Sequence, residues 1–248
     1  MFAARRSPRT TNAVVGLITA TIGVAHGAAD DALLSARPSA PFSKRAIGAV
    51  YGISAVSVFL ASRRWPRLAK QSLFALSWLH FGAGDSAFAE ACDARQISRF
   101  AWALRGAIPL ACTWPWVHRL TNLIATMGVI DAVRRGRVGD AFDLGVPTLA
   151  FAIAPGKATF GAYFALWHTP RHLALAVERY TVGKSLKERV ATFARAALPN
   201  TLIALAAGVP LVAFAGTSWR DSVDGLILAV TVPHSVSVAM LEASAKIS

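Results

Sequence analysis

Residues 158–178 read ATFGAYFALWHTPRHLALAVE, and how this stretch is read decides the fold. It has the length of a helix that crosses a bilayer, whose hydrocarbon core is about 30 Å thick and needs about 20 mainly apolar residues. Its polar residues sit in the middle, as His168, Arg171 and His172, not at the ends. Ionisable groups at membrane depth are costly, so each marks a functional hypothesis. His168 and His172 are four residues apart and therefore project from one helical face, where they can chelate one ion. That spacing alone is a weak signal.

Similar stretches recur along the whole chain, at about 12–32, 46–61, 69–90, 100–130, 141–154, 196–216 and 222–244. Of the 248 residues, 54% are hydrophobic and 16% charged, whereas a soluble domain carries roughly a quarter charged residues. No internal repeat of solenoid type and no long linker is evident. The sequence therefore predicts an all-α, polytopic integral membrane helical bundle of about 8 transmembrane helices, forming a single domain over residues 1–248. The weak part is 100–130, too long for one straight helix and interrupted by Pro109 and Pro115. It reads as one broken helix, two short helices or a re-entrant segment. Trp102, Trp114 and Trp116, beside His118 and Arg119, place part of it at an interface.

The net charge is +13, which in a soluble protein points to nucleic acid. Here the basic residues lie in short runs between apolar stretches: Arg5 and Arg6, Arg63 and Arg64, Arg134, Arg135 and Arg137, and Lys184 to Arg195. These runs lack the interleaved aromatics on which bases stack, so nucleic acid is excluded as a partner. They fit cytoplasmic loops under the positive-inside rule, with both termini cytoplasmic in a multi-pass inner-membrane protein. The stretch near 33–45, with Arg37, Lys44 and Arg45, is the exception. The N-terminal stretch has signal-peptide features but reads as an uncleaved first helix, because cleavage removes His26. Cys92 and Cys112 allow one disulfide, but read rather as small packing residues on helices.

Five of the six histidines, His26, His80, His168, His172 and His234, fall within predicted helices. All but His26 lie close to the middle of their stretch. A single intramembrane histidine is more often a hydrogen-bonded packing residue than a ligand; five near one depth reverse that preference. Imidazole suits iron, zinc, copper and nickel alike, and the residues do not choose among them. Asp30 follows His26 by four and Asp85 follows His80 by five. Ligand histidines usually donate their second N–H to such a carboxylate; Asp30 is equally able to pair with Arg171 or to cap a helix end in water. Arg171 requires a buried partner. Phe81, Tyr163, Phe164 and Trp167 either line an apolar tunnel or face lipid.

Four segments carry a family resemblance: 23–30 (GVAHGAAD), 79–85 (LHFGAGD), 163–172 (YFALWHTPRH) and 232–234 (VPH). In this order they resemble the Brp/Blh family of β-carotene 15,15′-dioxygenases, over nearly the whole chain. The resemblance implies an integral membrane, Fe(II)-dependent enzyme that cleaves β-carotene with O2 into two retinals, with product passed on to a microbial rhodopsin. It maps the iron ligands onto His26, His80, His168 and His172, and puts His234 beside them, next to the ligands or in the substrate pocket with Asp30, Asp85, Arg171, Tyr163, Trp167 and Phe81. Ala25 and Asp31 stand where the family often has proline and histidine. Two other readings remain. One is another membrane non-haem iron oxygenase or desaturase, although those generally carry HxxHH clusters in cytoplasmic segments. The other is a non-enzymatic haem- or metal-handling membrane protein, although transporters usually show paired halves.

Overall fold

The computed structural model of the chain describes residues 27–28, 30, 34, 43–93, 96–111, 114–180, 185–213 and 219–245. Among the described residues every regular element is helical and there is no strand. The all-α expectation holds.

Helix α1, Lys44–Arg64, starts at Ser43, whose extended backbone lets its Oγ accept from the Ala46 N–H at 3.3 Å. Arg63 and Arg64 close its last turn, where cations complement the helix dipole. Helix α2, Pro66–Asp93, follows at once and carries His80 and Asp85. Proline is suited to a first helical position because the N–H it lacks has no intrahelical partner there.

The stretch 100–130 resolves into two helices, α3, Arg99–Ala111, and α4, Pro115–Arg134. Pro115 is the reason. It forces Trp114 out of helical conformation, to φ −129° and ψ 118°, and itself opens α4. Pro109 lies inside α3 without ending it. A tight turn through Gly136, at φ +68°, leads into α5, Val138–Ile153. In this turn Asp131 meets both Arg135, at 2.8 Å, and Arg137. The hydrogen bond from Arg135 is the main cause holding the Asp131 carboxyl below the ordinary carboxylate range.

The decisive stretch 158–178 is helical but not uniformly α. Helix α6, Lys157–Tyr163, passes through a π-helical turn, Phe164–His168, into α7, Thr169–Tyr180. The Thr169 N–H reaches back to the carbonyl of Phe164, five residues away, instead of Leu166 or Ala165. Pro170 explains the widening, since its ring crowds the carbonyl four residues before it and it has no N–H to donate. Such turns occur frequently at functional sites. Helix α8, Leu186–Ala213, begins with a reciprocal cap: the Ser185 N–H donates to Glu188 Oε2 at 3.0 Å, and the Glu188 N–H to Ser185 Oγ at 3.4 Å. Helix α9, Trp219–Ala245, completes the described chain. Of the expected first helix at 12–32, only residues 27, 28 and 30 are described, and His26 lies outside.

The chain divides into two compact units. One contains Trp78–His172. Its core is Phe81, Leu104, Ile108, Ala125, Leu144, Phe151 and Tyr163, where α3, α4 and α5 pack together. Here α2 and α3 touch closely: Trp78 Nε1 donates to the Ala103 carbonyl at 2.7 Å, and a Cβ on Gly106 would lie 2.2 Å from the Trp78 carbonyl oxygen. Backbone has to move to admit any side chain there. Gly106→Val is therefore expected to destabilise by about 2 kcal/mol or more, an overpacking cost, read as a lower unfolding midpoint of the purified protein. The other unit contains Val24–Ser77 and Leu173–Ser248. In it α9 packs against α1 and α8, with Phe59 against Ala229 and a cluster of Ala176, Phe193 and Ala197.

Among the described residues, buried ionisable side chains occur together with large apolar side chains that face outward. His80, Asp85, Arg105, Asp140 and His168 are buried. Large apolar residues face outward in helical stripes, such as Leu123, Met127 and Ile130 on α4 and Phe142, Val146, Leu149 and Ile153 on α5. Among the described residues one helix, Arg45–Arg64, is by itself long and apolar enough to cross a membrane. Helices α3 and α5 are shorter, at 13 and 16 residues, and α2 has His80 and Asp85 within its central turns.

Candidate functional site

Three of the expected histidines come together in the unit containing Trp78–His172. His80 comes from α2, His168 from the end of the π turn and His172 from the first turn of α7. The ring of His80 lies 5.0 Å from that of His168 and 5.7 Å from that of His172, centroid to centroid. His168 and His172 are 6.0 Å apart with nearly parallel rings. Gly84 faces both: a Cβ there would lie 2.9 Å from His168 Cε1 and 3.7 Å from His172 Nδ1. The absent side chain is the space these rings use.

Asp85 fixes His168. Its Oδ1 lies 3.0 Å from His168 Nδ1, and its Oδ2 accepts from the Tyr163 hydroxyl at 2.7 Å. Tyr163 and His168 are five residues apart, which in a regular α-helix turns their side chains about 140° from each other. The π turn between them brings both to one carboxylate. The sequence sets Asp85 five positions after His80 on α2; the same 140° turns it away from His80 and across to His168 on the facing helix. The His168 ring is fully buried, with Phe81 edge-on at 4.7 Å and Phe164 stacked at 5.9 Å. Phe81 and Tyr163 thus belong to the core and brace the histidine.

With Nδ1 donating to the carboxylate, neutral His168 presents a lone pair at Nε2. That atom lies 3.1 Å from His80 Nε2. Two nitrogens each about 2.1 Å from one ion and at right angles about it lie about 3.0 Å apart. The donor chemistry and this spacing fit an ion shared by His80 and His168, with the carboxylate–histidine support that metal ligands usually have. Among the described residues no group of three or more His, Cys, Asp or Glu side chains forms a metal cage. His172 adjoins the pair, and His26, the fourth ligand expected, lies outside the described residues.

Arg171 finds its partner in Asp143 of α5, at 2.7 Å, and its guanidinium lies over the Trp167 ring at 3.8 Å. Trp167 therefore covers an arginine. Asp143 in turn lies 3.9 Å from Arg105, which pairs with Asp140 at 3.3 Å. Asp143, Asp140 and Arg105 escaped the sequence reading, although Arg105 and Asp143 are ionisable residues inside apolar stretches, the signal that singled out the histidines. In the other unit His234 Nδ1 lies 2.7 Å from Asp30 Oδ2, both side chains buried, and a Cβ on Gly27 would lie 3.0 Å from that nitrogen. Asp30 thus pairs with His234. His118 hydrogen bonds within α4, to Asn122 at 3.0 Å.

A family model described as BCD, β-carotene 15,15′-dioxygenase, matches residues 17–117 and 115–242. Comparison with curated proteins gives no match, and comparison with solved structures gives none. The matched residues take in both units and every histidine considered above, and the chain belongs to the β-carotene 15,15′-dioxygenase family.

Proposed function

We propose that this family member is a polytopic membrane enzyme that cleaves β-carotene with O2 at the central 15,15′ double bond, giving two retinals, and that His26, His80, His168 and His172 hold the Fe(II) it needs. The observation that carries this reading is the Asp85–His168–His80 alignment: a buried carboxylate orients one imidazole so that its Nε2 lies 3.1 Å from the Nε2 of a second. Fe(II), when bound, supplies the redox chemistry through which O2 reacts with a carbon–carbon double bond. Cleavage exchanges the double bond for two carbonyls and places both oxygen atoms in product, so no external reductant enters.

The chain's own residues supply position and dryness. Asp85 holds His168 in one tautomer, Tyr163 holds Asp85, and Phe81 and Phe164 pack against the His168 ring and keep water from it. No protein acid or base is needed, because no proton is transferred in the net reaction. The outward apolar stripes on α4 and α5, set against buried His, Asp and Arg, support a bundle embedded in lipid. There a carotene is already dissolved, and it enters from the bilayer without passing through water. The basic turn at Arg135 and Arg137 supports a cytoplasmic position for that end, with both termini on the same side in the inner membrane. Retinal leaves through lipid and is available to a microbial rhodopsin.

The test is expression in bacteria that accumulate β-carotene, with pigments resolved by chromatography. The expected result is loss of carotene with two retinals formed per molecule lost. Apocarotenals of other lengths move the cleaved bond, and unchanged carotene in an inserted, iron-loaded protein rejects the proposal.

A further inference from the structure

The helix that carries His168 and His172 is held by an unusual set of charges. Arg171 lies between the two histidines in sequence and points to a different face. Its guanidinium donates to Asp143 Oδ1 at 2.7 Å, and it lies over the rings of Trp167, at 3.8 Å, and Phe88, at 4.9 Å. The other oxygen of Asp143 faces Arg105 at 3.9 Å, and Arg105 reaches Asp140 at 3.3 Å. Arg137 joins Asp140 at 3.3 Å and continues to Asp131, which bonds Arg135 at the surface. A continuous line of ion pairs thus runs from the α4–α5 turn to the helix of the two histidines. The side chains of Arg105, Asp140, Asp143 and Arg171 are 2%, 8%, 12% and 11% exposed, so the inner half of the line is withdrawn from water.

Two general facts decide what such a line does. Buried ion pairs are poor stabilisers, because desolvation offsets their attraction and apolar replacements are often as stable. A helix with a π turn and a proline in adjacent turns has lost regular backbone bonding, so its rotation is not fixed by the backbone alone. That describes residues 164–172, where the Thr169 N–H bonds five residues back and Pro170 has no N–H. Fixing Arg171 fixes the rotation of this turn, and the direction of His168 and His172 follows from it.

We infer that Asp143, acting through Arg171, is a positioning residue for the metal-binding histidines, with Arg105 and Asp140 anchoring Asp143. This rests on the iron-site reading proposed above. Asp85 orients His168 alone, while Arg171 acts on both histidines.

The test uses the full chain in detergent, with Co(II) as the probe ion. In the double variant Arg171→Met/Asp143→Leu both charges go together, and no buried charge is stranded. It is expected to keep wild-type helical content and unfolding temperature. Its Co(II) dissociation constant should rise about 10–100-fold, the usual effect of removing a partner that orients ligands. Its visible Co(II) band should shift, and retinal formation in carotene-accumulating cells should fall by a similar factor. Asp143→Asn keeps an acceptor for Arg171 but not the charge, and should still raise the Co(II) dissociation constant by about 3–10-fold. Asp131→Asn, at the exposed end, should match the wild type. A folded double variant with wild-type Co(II) affinity and band overturns the inference and leaves the proposed function standing. Should the double variant not fold, wild-type affinity and band in Asp143→Asn overturn it instead. A wild-type chain that neither binds Co(II) nor makes retinal overturns the functional reading, and this inference with it.

Discussion

His168→Ala is expected to abolish retinal formation in carotene-accumulating cells, a loss beyond the about 10–100-fold that follows removal of a group that merely orients a ligand. Three properties converge on this residue. It is fully buried, its Nδ1 is committed to Asp85 at 3.0 Å, and its Nε2 faces His80 Nε2 at 3.1 Å. Alanine removes the His168 nitrogens and leaves the buried Asp85 carboxylate with the Tyr163 hydroxyl but without its imidazole partner, so some loss of stability accompanies the loss of activity. His172→Ala separates the two effects, because His172 is less buried and its truncation opens a smaller cavity. Both variants should fall below detection, and imidazole added to His168→Ala cells should restore a fraction of the retinal. His118→Ala should retain activity, since His118 pairs with Asn122 one turn along its own helix. Retinal at wild-type levels from a folded His168→Ala or His172→Ala protein removes the histidine site from the mechanism.

Much of this arrangement is legible in the sequence, and what is not follows a physical pattern. Apolar length and polar residues at mid-helix mark α2, the α6–α7 helix and α9, along with His80, His168, His172 and His234, because burial depends on position along one helix. Pro115 in the first helical position decides that 100–130 is two helices, a choice the sequence leaves open because Pro109, equally disruptive on paper, sits inside α3. Partnerships between helices are less legible. Asp85 is adjacent in sequence to one histidine and serves another. Arg171 demands a carboxylate but does not say which; Asp143 supplies it from a helix that drew attention only for its apolarity. The π turn is the least legible feature. Pro170 announces a disturbance in the helix, but whether the chain kinks, breaks or widens depends on what packs against it. Here Asp85 accepts both Tyr163 and His168 across the widened turn.

Asp85 provides the second large effect, with a graded series. The carboxylate has two acceptor oxygens and two donors facing it, the Tyr163 hydroxyl at 2.7 Å and His168 Nδ1 at 3.0 Å, in a residue 3% exposed. Asp85→Ala removes both acceptors, freeing the His168 ring to rotate and to place its proton on either nitrogen. Retinal formation and Co(II) affinity should fall by about 100-fold, the upper end for loss of a carboxylate behind a ligand histidine. In Asp85→Asn the amide oxygen still accepts from His168 while its NH2 meets the Tyr163 oxygen, which can accept as well as donate. The tautomer survives and only the negative charge behind the imidazole is lost, so the fall should be about 10-fold. Tyr163→Phe leaves both carboxylate oxygens in place and should have the smallest effect of the three. The ranking separates an orienting carboxylate from a buried structural one. An orienting carboxylate gives Ala, Asn and Phe losses in that order for both metal affinity and product. A structural one gives lower unfolding temperatures with Co(II) affinity unchanged in the protein that remains folded.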